Sequence, residues 1–422
     1  MVKVKGKNNI DIMTILAFLI VARLACPALS NIPLMNMTFI FIYGMAFCVF
    51  FIFMDNNLTR VEKSIFWCVL IYVLYTVFRI LISNGGIFDR DAFNAYTLFF
   101  LINIFLWVKK QSNDVRSNLL KLILIACLFN FVYSIVILIL DPDASRKAAA
   151  TSVLEGSRFD ILNAVGSFDA VYGGIFIVLL MIYMRKKMAK GGKKTLLTVI
   201  MISALIFIIM SAYATAILLL IVTLFIYFSN KSQTFSIIGI VIAVGILLFH
   251  EAIGGAIMTF AKKVNYSQII STRIEEFGYM LKTFEAAGTY AGEEGRWQKM
   301  LNSINAFLAH PLFGALGDKS VKVGGHSEFF DILGKYGIVG FGMLVSVFVN
   351  LYKVVRSDIY DRQNVKCLNI IYFIYVLLSI LNPSLYALLI MPIILIVPLS
   401  ESYTMGKEQN QQSQKQIEGE KA

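Results

Sequence analysis

The sequence predicts an all-α polytopic membrane protein with about twelve transmembrane helices and one large loop on the outer side. Apolar residues make up 58% of the 422-residue chain and charged residues 15%, whereas soluble domains average about 45–50% and about 25%. The apolar residues form runs close to the ~20 residues that a helix needs to cross the hydrocarbon core. The net charge of +12 does not indicate a nucleic-acid partner, because the basic residues cluster in short loops between the runs.

Twelve apolar runs mark the predicted spans. They lie at residues 10–26, 37–54, 65–82, 94–108, 119–140, 168–184, 195–211, 213–229, 235–252, 336–352, 367–381 and 384–400. The stretch 195–229 is too long for one span, so it is divided at its least apolar patch, 211–213. Asn382 and Pro383 divide the last two spans, because proline cannot continue a helix.

The distribution of lysine and arginine predicts the orientation. With the N-terminus inside, most basic residues outside the long loop fall in inner segments, which places both termini in the cytoplasm. The predicted organisation is then spans one to nine (1–252), a large outer loop (253–335), spans ten to twelve (336–400) and a disordered cytoplasmic tail (401–422).

The outer segment 253–335 carries two amphipathic patterns. Apolar residues share one helical face over 274–284 and again over 297–308. Thr272 and Glu275 have the spacing of a capping box and predict the start of the first helix, and His310 with Pro311 ends the second. The segment is therefore expected to be a folded cap over the outer face.

Three histidines, His250, His310 and His326, all fall on the predicted outer side. Ser327 is expected to cap the helix that follows, which puts His326 at the helix entry beneath the cap. Two interpretations of His326 stay open here: a general base at a functional site, or a polar residue at a helix start.

Several arginines converge on the predicted outer face. Arg296 opens the second amphipathic helix, Arg158 lies in the third outer loop, and Arg23 and Arg79 lie near the outer ends of their spans. Together they indicate an anionic substrate such as a pyrophosphate. For Arg23 or Arg79 taken alone, snorkelling to the membrane interface is the favoured alternative.

Metal and cofactor sites are not predicted. Asp89 with Asp91, and Asp141 with Asp143, have the D-x-D spacing that can hold a divalent ion, but solvated loop acids are the favoured interpretation. All five cysteines fall within or at the edge of apolar runs, and none has metal-ligand spacing.

Three passages of the chain carry a family resemblance. Residues 295–317 hold an arginine, an amphipathic helix and Pro-Leu-Phe-Gly-x-x-Gly, and residues 326–340 hold His-Ser followed by glycines. Residues 158–169 form a weaker third match. These passages resemble the O-antigen polymerase and O-antigen ligase superfamily of bacterial membrane glycosyltransferases. The family often has Ser-Arg at the turn where this chain has Ser-Ala-Tyr-Ala at 211–214.

The resemblance implies a GT-C-like fold in the bacterial cytoplasmic (inner) membrane and an active site on the outer face. It implies transfer of glycan from an undecaprenyl-pyrophosphate donor to a hydroxyl acceptor without a metal or another cofactor. Arg296 would stabilise charge on the pyrophosphate, and His326 would take the hydroxyl proton. The candidate residues for binding pyrophosphate or sugar are Arg158, Arg79, Arg23, His310 and Tyr213.

Within this family, a polymerase of O-antigen or capsule repeat units is favoured. A ligase that uses the same donor is the first alternative. A lipid-linked oligosaccharide flippase or transporter is the second, although it predicts charges deep in the spans and internal repeats. The expected partners are the lipid-linked donor and acceptor, membrane lipid and a candidate chain-length regulator, with no nucleic acid.

Overall fold

The computed structural model is helical, with no strand among the residues it describes. Those residues are 12–26, 29, 32–54, 58–83, 86, 89–145, 165–166, 168–187, 192–211, 213–229, 248–263, 268–283, 296–316, 318, 320–359, 362–383, 386, 389 and 392–394. The helices are α1 (Ile12–Ala25), α2 (Met37–Met54), α3 (Arg60–Ile82), α4 (Arg90–Lys110), α5 (Asn113–Leu140), α6 (Phe168–Lys187), α7 (Gly192–Met210), α8 (Ala214–Ser229), α9 (His250–Lys263), α10 (Gln268–Thr283), α11 (Arg296–Ala309), α12 (Glu328–Asp358) and α13 (Arg362–Leu381).

Six of these helices, α3, α4, α5, α6, α12 and α13, are long and apolar enough to cross a membrane. Helices α1, α2, α7 and α8 are apolar but shorter. The chain is therefore a helical membrane protein of the multi-pass kind. The predicted spans 235–252 and 384–400 lie largely outside the described residues, so the total of twelve stays a prediction.

The apolar helices pack in a closed circuit of neighbours. The order is α12, α3, α4, α2, α1, α5, α7, α6 and α13, and α13 packs against α12 again. Helices α4 and α6 are the most buried of the six long ones, which places them in the interior. At one end of the bundle, Lys109 of α4 bridges Glu62 of α3 at 2.8 Å and Asp358 of α12 at 3.1 Å.

The opposite end, here called the His326 end, holds α11 of the predicted outer loop, which packs on the start of α12. Helix α10 begins at Gln268, so Thr272 lies inside it, and the predicted capping-box start at Thr272 is wrong. Helix α9, which was not predicted, packs closely on α10. A Cβ on Gly254 would lie 2.5 Å from the carbonyl oxygen of Gly278, so glycine permits this approach.

Helix α12 is broken near its start. Gly337 has φ 66° and ψ −170°, a backbone conformation that favours glycine. The break frees the amides of Ile338 and Val339 from their partners one turn earlier, and they donate instead to the carbonyls of Pro311 and Leu312 at 2.8 and 3.2 Å. The predicted span beginning at 336 therefore corresponds to the part of α12 beyond this break.

The 311–316 loop also donates hydrogen bonds to the turn of α12 that precedes this break. The carbonyls of Gly334 and Lys335, which lose their helical donors, accept from the amides of Ala315 at 2.7 Å and Leu316 at 3.1 Å. Gly314 has φ 73°, and a Cβ there would lie 2.2 Å from the backbone of Lys335. Unpaired backbone groups in hydrocarbon cost several kcal/mol each, so this loop is what makes a broken membrane helix tolerable.

Candidate functional site

The centre of the site is a close contact between α11 and the 324–327 loop that leads into α12. A Cβ on Gly324 would lie 1.8 Å from the carbonyl oxygen of Lys299, so the loop backbone lies directly against α11. The Gly324 amide donates to Ser303 Oγ at 2.9 Å. Two backbones at this separation leave room only for glycine, and this brings the side chains on either side of Gly324 close to those of α11.

A buried carboxylate holds this contact together. Asp331 is 5% exposed and accepts from three donors: the Ser303 hydroxyl, the Gly325 amide at 3.1 Å and the Ser327 amide at 3.1 Å. Because a buried carboxylate is costly unless it is hydrogen-bonded, this set of donors accounts for its position. Asp331 therefore joins α11, the loop and α12 in one network.

Ser327 caps α12, as the sequence predicts. Its Oγ accepts from the Phe330 amide at 3.4 Å and donates to the Ser379 carbonyl of α13 at 3.2 Å. The Glu328 amide adds a second link to the end of α13, since it donates to the Asn382 carbonyl at 3.2 Å. The entry of α12 is thus fixed from both sides.

His326 meets a lysine that the sequence did not single out. Its Nε2 lies 2.9 Å from Lys299 Nζ. A lysine ammonium has only hydrogens to offer, so Nε2 is the acceptor and the ring proton is assigned to Nδ1. Arg296 begins α11 three positions before Lys299, a spacing that puts the two residues on one face. The side chain of Arg296 and the whole of Arg158 lie outside the described residues.

A polar cavity of about 90 Å³ adjoins the 324–327 loop. Its charged lining comes from Asp91 of α4 and from Glu328, Asp331 and Lys335 of α12. Lys335 Nζ lies 2.6 Å from Asp91 Oδ2. Tyrosines complete the wall, and the hydroxyls of Tyr72 and Tyr386 lie 2.7 Å apart. Three carboxylates against one ammonium favour a ligand rich in hydroxyl groups over a phosphate.

An apolar groove of about 430 Å³ adjoins this cavity and runs along α12 and α13. It runs from Glu328 to Lys353 on α12 and is lined mainly by aliphatic and aromatic side chains. Glu328, Ile332 and Tyr386 line both the groove and the polar cavity. A polar compartment and an apolar one therefore lie side by side at the His326 end, with three wall residues in common.

Arg79 and Arg23 are engaged with backbone carbonyls. One guanidinium nitrogen of Arg79 donates to Gly314 at 3.0 Å and to Leu316 at 3.1 Å, which holds the 311–316 loop against α3. Arg23 Nε donates to the Met35 carbonyl at 3.0 Å. These contacts stabilise the fold, and a role of either arginine in binding pyrophosphate stays a prediction.

His310 and Tyr213 also have partners of their own. His310 Nε2 lies 3.3 Å from Asp318 Oδ2 at the surface. Hydrogen bonds from Ser320, with a smaller contribution from His310, lower the pKa of the Asp318 carboxyl. The Tyr213 hydroxyl donates to the Ser145 carbonyl at 3.1 Å, and its ring packs on Phe168 and Tyr172.

Several site residues were missed from the sequence. Glu328, Asp331 and Lys335 recur at one-turn and two-turn spacing on one face of an otherwise apolar helix, which is the signal that was available. Asp91 was interpreted as a solvated loop acid, and this is wrong. It lies in the first turn of α4, is about three-quarters buried and pairs with Lys335.

Long apolar helices packed in a closed bundle define the class of this chain as a multi-pass helical membrane protein. No model of a known protein family matches the chain, and no curated protein matches it. In the described part of the chain, no group of three or more His, Cys, Asp or Glu residues is arranged to hold a metal ion.

Proposed function

We propose that this chain is a membrane glycosyltransferase that joins undecaprenyl-pyrophosphate-linked repeat units into a surface polysaccharide. The observation that carries the proposal is that the polar cavity and the apolar groove lie side by side and share Glu328, Ile332 and Tyr386 in their walls. One molecule with a polar head and a long apolar chain fits both compartments. A lipid-linked glycan is such a molecule.

The charges around the site indicate where the two parts of the proposed substrate bind, one on α11 and the other in the polar cavity. Lys299 supplies positive charge on α11, and so does Arg296, the residue predicted to stabilise the pyrophosphate. Two cations on one helix suit a pyrophosphate. Asp91 and Glu328 supply acceptors in the cavity, which suit the hydroxyl groups of a sugar. His326 follows Gly325, which lines the cavity, and contacts Lys299, so it stands between the two halves.

The proposed reaction needs a base and stabilised negative charge. The acceptor hydroxyl oxygen forms a bond to the donor sugar carbon while the bond from that carbon to the pyrophosphate breaks. The hydroxyl proton passes to His326, a step typically worth about 10²–10⁴-fold. The electron pair of the broken bond stays on the pyrophosphate, where Arg296 and Lys299 stabilise it in a site shielded from water.

The test compares the surface glycan of a strain that lacks this gene with strains that carry the wild-type chain, His326→Ala or His250→Ala. Glycan that stops at one repeat unit in the null and His326→Ala strains, with a normal ladder for His250→Ala, supports the polymerase. His250 is the matched control because it lies on α9, where its Nδ1 contacts the Lys282 carbonyl at 3.0 Å.

Two other outcomes decide against the polymerase. Loss of attached glycan with accumulation of long lipid-linked chains identifies a ligase. An unchanged ladder in the null strain contradicts the glycosyltransferase function for that polysaccharide. Immunoblotting of each variant in the membrane fraction separates loss of activity from loss of protein.

A further inference from the structure

We propose that Lys299 controls when His326 can accept a proton, and that the phosphate of the substrate releases this control. The proposal rests on the proposed function, because it concerns the base of that reaction. It starts from the contact of 2.9 Å between Lys299 Nζ and His326 Nε2. In this state the lone pair of Nε2 is occupied, and the proton assigned to Nδ1 leaves that nitrogen without a lone pair to offer.

The contact is built into the fold. Lys299 presents its backbone to Gly324, and Ser303, one turn further along α11, bonds to both the Gly324 amide and Asp331. The loop that carries His326 is therefore fixed on the helix that carries Lys299. Of the two partners, the lysine has the longer and more flexible side chain, so the ammonium is the part that can move.

An anionic ligand offers Lys299 a better partner than a neutral imidazole. Hydrogen bonds between an ammonium and a phosphate oxygen are charge-assisted and about twice as strong as those between neutral groups. A pyrophosphate on α11 therefore draws the ammonium away from His326 and frees Nε2. The base becomes competent only when the donor is present, and Lys299 then acts as the second cation beside Arg296.

Lys299 is therefore a positioning residue that acts on His326 before the donor binds. Before the donor binds, Lys299 holds the imidazole in one tautomer and one orientation. After the donor binds, Nε2 takes the hydroxyl proton of the acceptor and the imidazole becomes an imidazolium. The positive charge of Lys299 by then faces the pyrophosphate, where the electron pair of the broken bond arrives.

The experiment measures access to the Nε2 lone pair directly. Diethyl pyrocarbonate acylates histidine through a ring lone pair, and mass spectrometry of peptides reports the rate at each histidine. The full-length protein is purified in detergent and labelled near pH 8, where an ordinary imidazole, with a pKa of about 6.5, is neutral. His250 and His310 serve as internal references for reagent access.

The variants are Lys299→Met, which keeps the length but removes the charge, and Lys299→Arg, which keeps a cationic donor. We expect His326 to be labelled about tenfold faster in Lys299→Met than in the wild type, the size of effect that one hydrogen bond to a charged group produces. Lys299→Arg is expected to stay close to the wild type. Inorganic pyrophosphate is expected to speed labelling in the wild type and to leave Lys299→Met unchanged.

Equal labelling of His326 in the wild type and Lys299→Met overturns the proposal, and so does slower labelling of the wild type with pyrophosphate. Because labelling requires no glycan transfer, its result is independent of the glycan ladder. Labelling as expected beside an unchanged ladder in the null strain refutes the proposed function but leaves the coupling of Lys299 to His326 in place. Elution of each variant as a single species on size exclusion confirms that it is folded.

Discussion

At the scale of single residues, the site depends on groups that bring distant segments together. Asp331 accepts from Ser303, 28 positions earlier, and Arg79 donates to Gly314, 235 positions later. Each of these side chains holds a backbone segment that the site requires. Their chemistry is visible in the sequence, but the segments they join are not.

Replacing Asp331 tests the buried network. Asp331→Ala leaves three donors without their acceptor, each at a cost of about 1–3 kcal/mol, so the free energy of unfolding is expected to fall by about 3 kcal/mol or more. Asp331→Asn keeps an acceptor oxygen and is expected to lose less. The apparent melting temperature in detergent measures both, and equal values for Asp331→Ala and the wild type would contradict the network.

Replacing Arg79 distinguishes a structural role of this side chain from a role in binding the proposed substrate. Arg79→Ala removes both hydrogen bonds to the 311–316 loop, at about 1.5–3 kcal/mol each for bonds from a charged donor. We expect a lower melting temperature, with the KM for the proposed lipid-linked donor unchanged in the protein that remains folded. A KM that rises several-fold without loss of stability would instead make Arg79 a ligand of the proposed pyrophosphate.

The residues of the site show how far local sequence patterns reach. The Ser327 cap is confirmed, because capping depends on residues within one turn. Lys299 was missed because it faces His326 only after the chain folds back over 27 positions. The assignment of Asp91 failed for the same reason, since its partner Lys335 is 244 positions away.

At the scale of the elements, the broken helix α12 and the 311–316 loop form one unit. The loop supplies two carbonyls and two amides to the turn that Gly337 interrupts. The same physical reason explains Gly314 in the loop and Gly337 in α12. At each position φ is positive and another backbone lies too close for a Cβ. Sequence patterns placed these glycines near each other in the chain but did not predict the exchange of hydrogen bonds.

Two substitutions on α12 test this unit. Gly337→Ala forces a Cβ to within 2.4 Å of the Leu312 carbonyl oxygen at a φ of 66°, so a marked loss of thermal stability is expected. Gly342→Ala is the matched control, because its Cβ meets nothing within 4 Å. It is expected to be neutral or stabilising by about 0.4–1 kcal/mol. Similar melting temperatures for the two variants would argue against the broken-helix description.

The ion pairs at the other end of the bundle tie three helices together. Lys109→Met removes the cation from the buried Glu62 and from the partly buried Asp358, and removing one partner of a buried pair typically costs about 3–5 kcal/mol. Lys63→Met, one position from Glu62 and exposed, is the control. We expect a large fall in melting temperature for Lys109→Met alone, and a matching fall for Lys63→Met would point to a general effect of lost charge.

At the scale of the whole molecule, composition and hydropathy were enough to predict a helical membrane protein, because the bilayer imposes span length and apolar character on each segment. The closed order of helix neighbours was not predictable in this way. It depends on which apolar faces fit together, and apolar runs such as those of α4 and α6 look alike in the sequence although both lie in the interior.

The predicted orientation is testable by labelling in whole cells. A membrane-impermeant maleimide is expected to modify Lys322→Cys, at the His326 end, in intact cells, and Lys63→Cys, at the other end, only after permeabilisation. Both positions are exposed, whereas four of the five native cysteines are buried and the fifth is partly buried. The reverse pattern would put the site on the cytoplasmic side.

The residues that line the polar cavity fall into two groups, which differ in how freely they can be substituted. Gly324 of the 324–327 loop lies against the Lys299 backbone and Asp331 is held by three donors, whereas Asn94 on α4 lines the cavity without belonging to that network. An exchange at Asn94 alters what a ligand in the cavity meets and leaves His326 and Lys299 in place. A scaffold divided in this way can diversify its choice of ligand over evolutionary time while the contact between Lys299 and His326 stays constant.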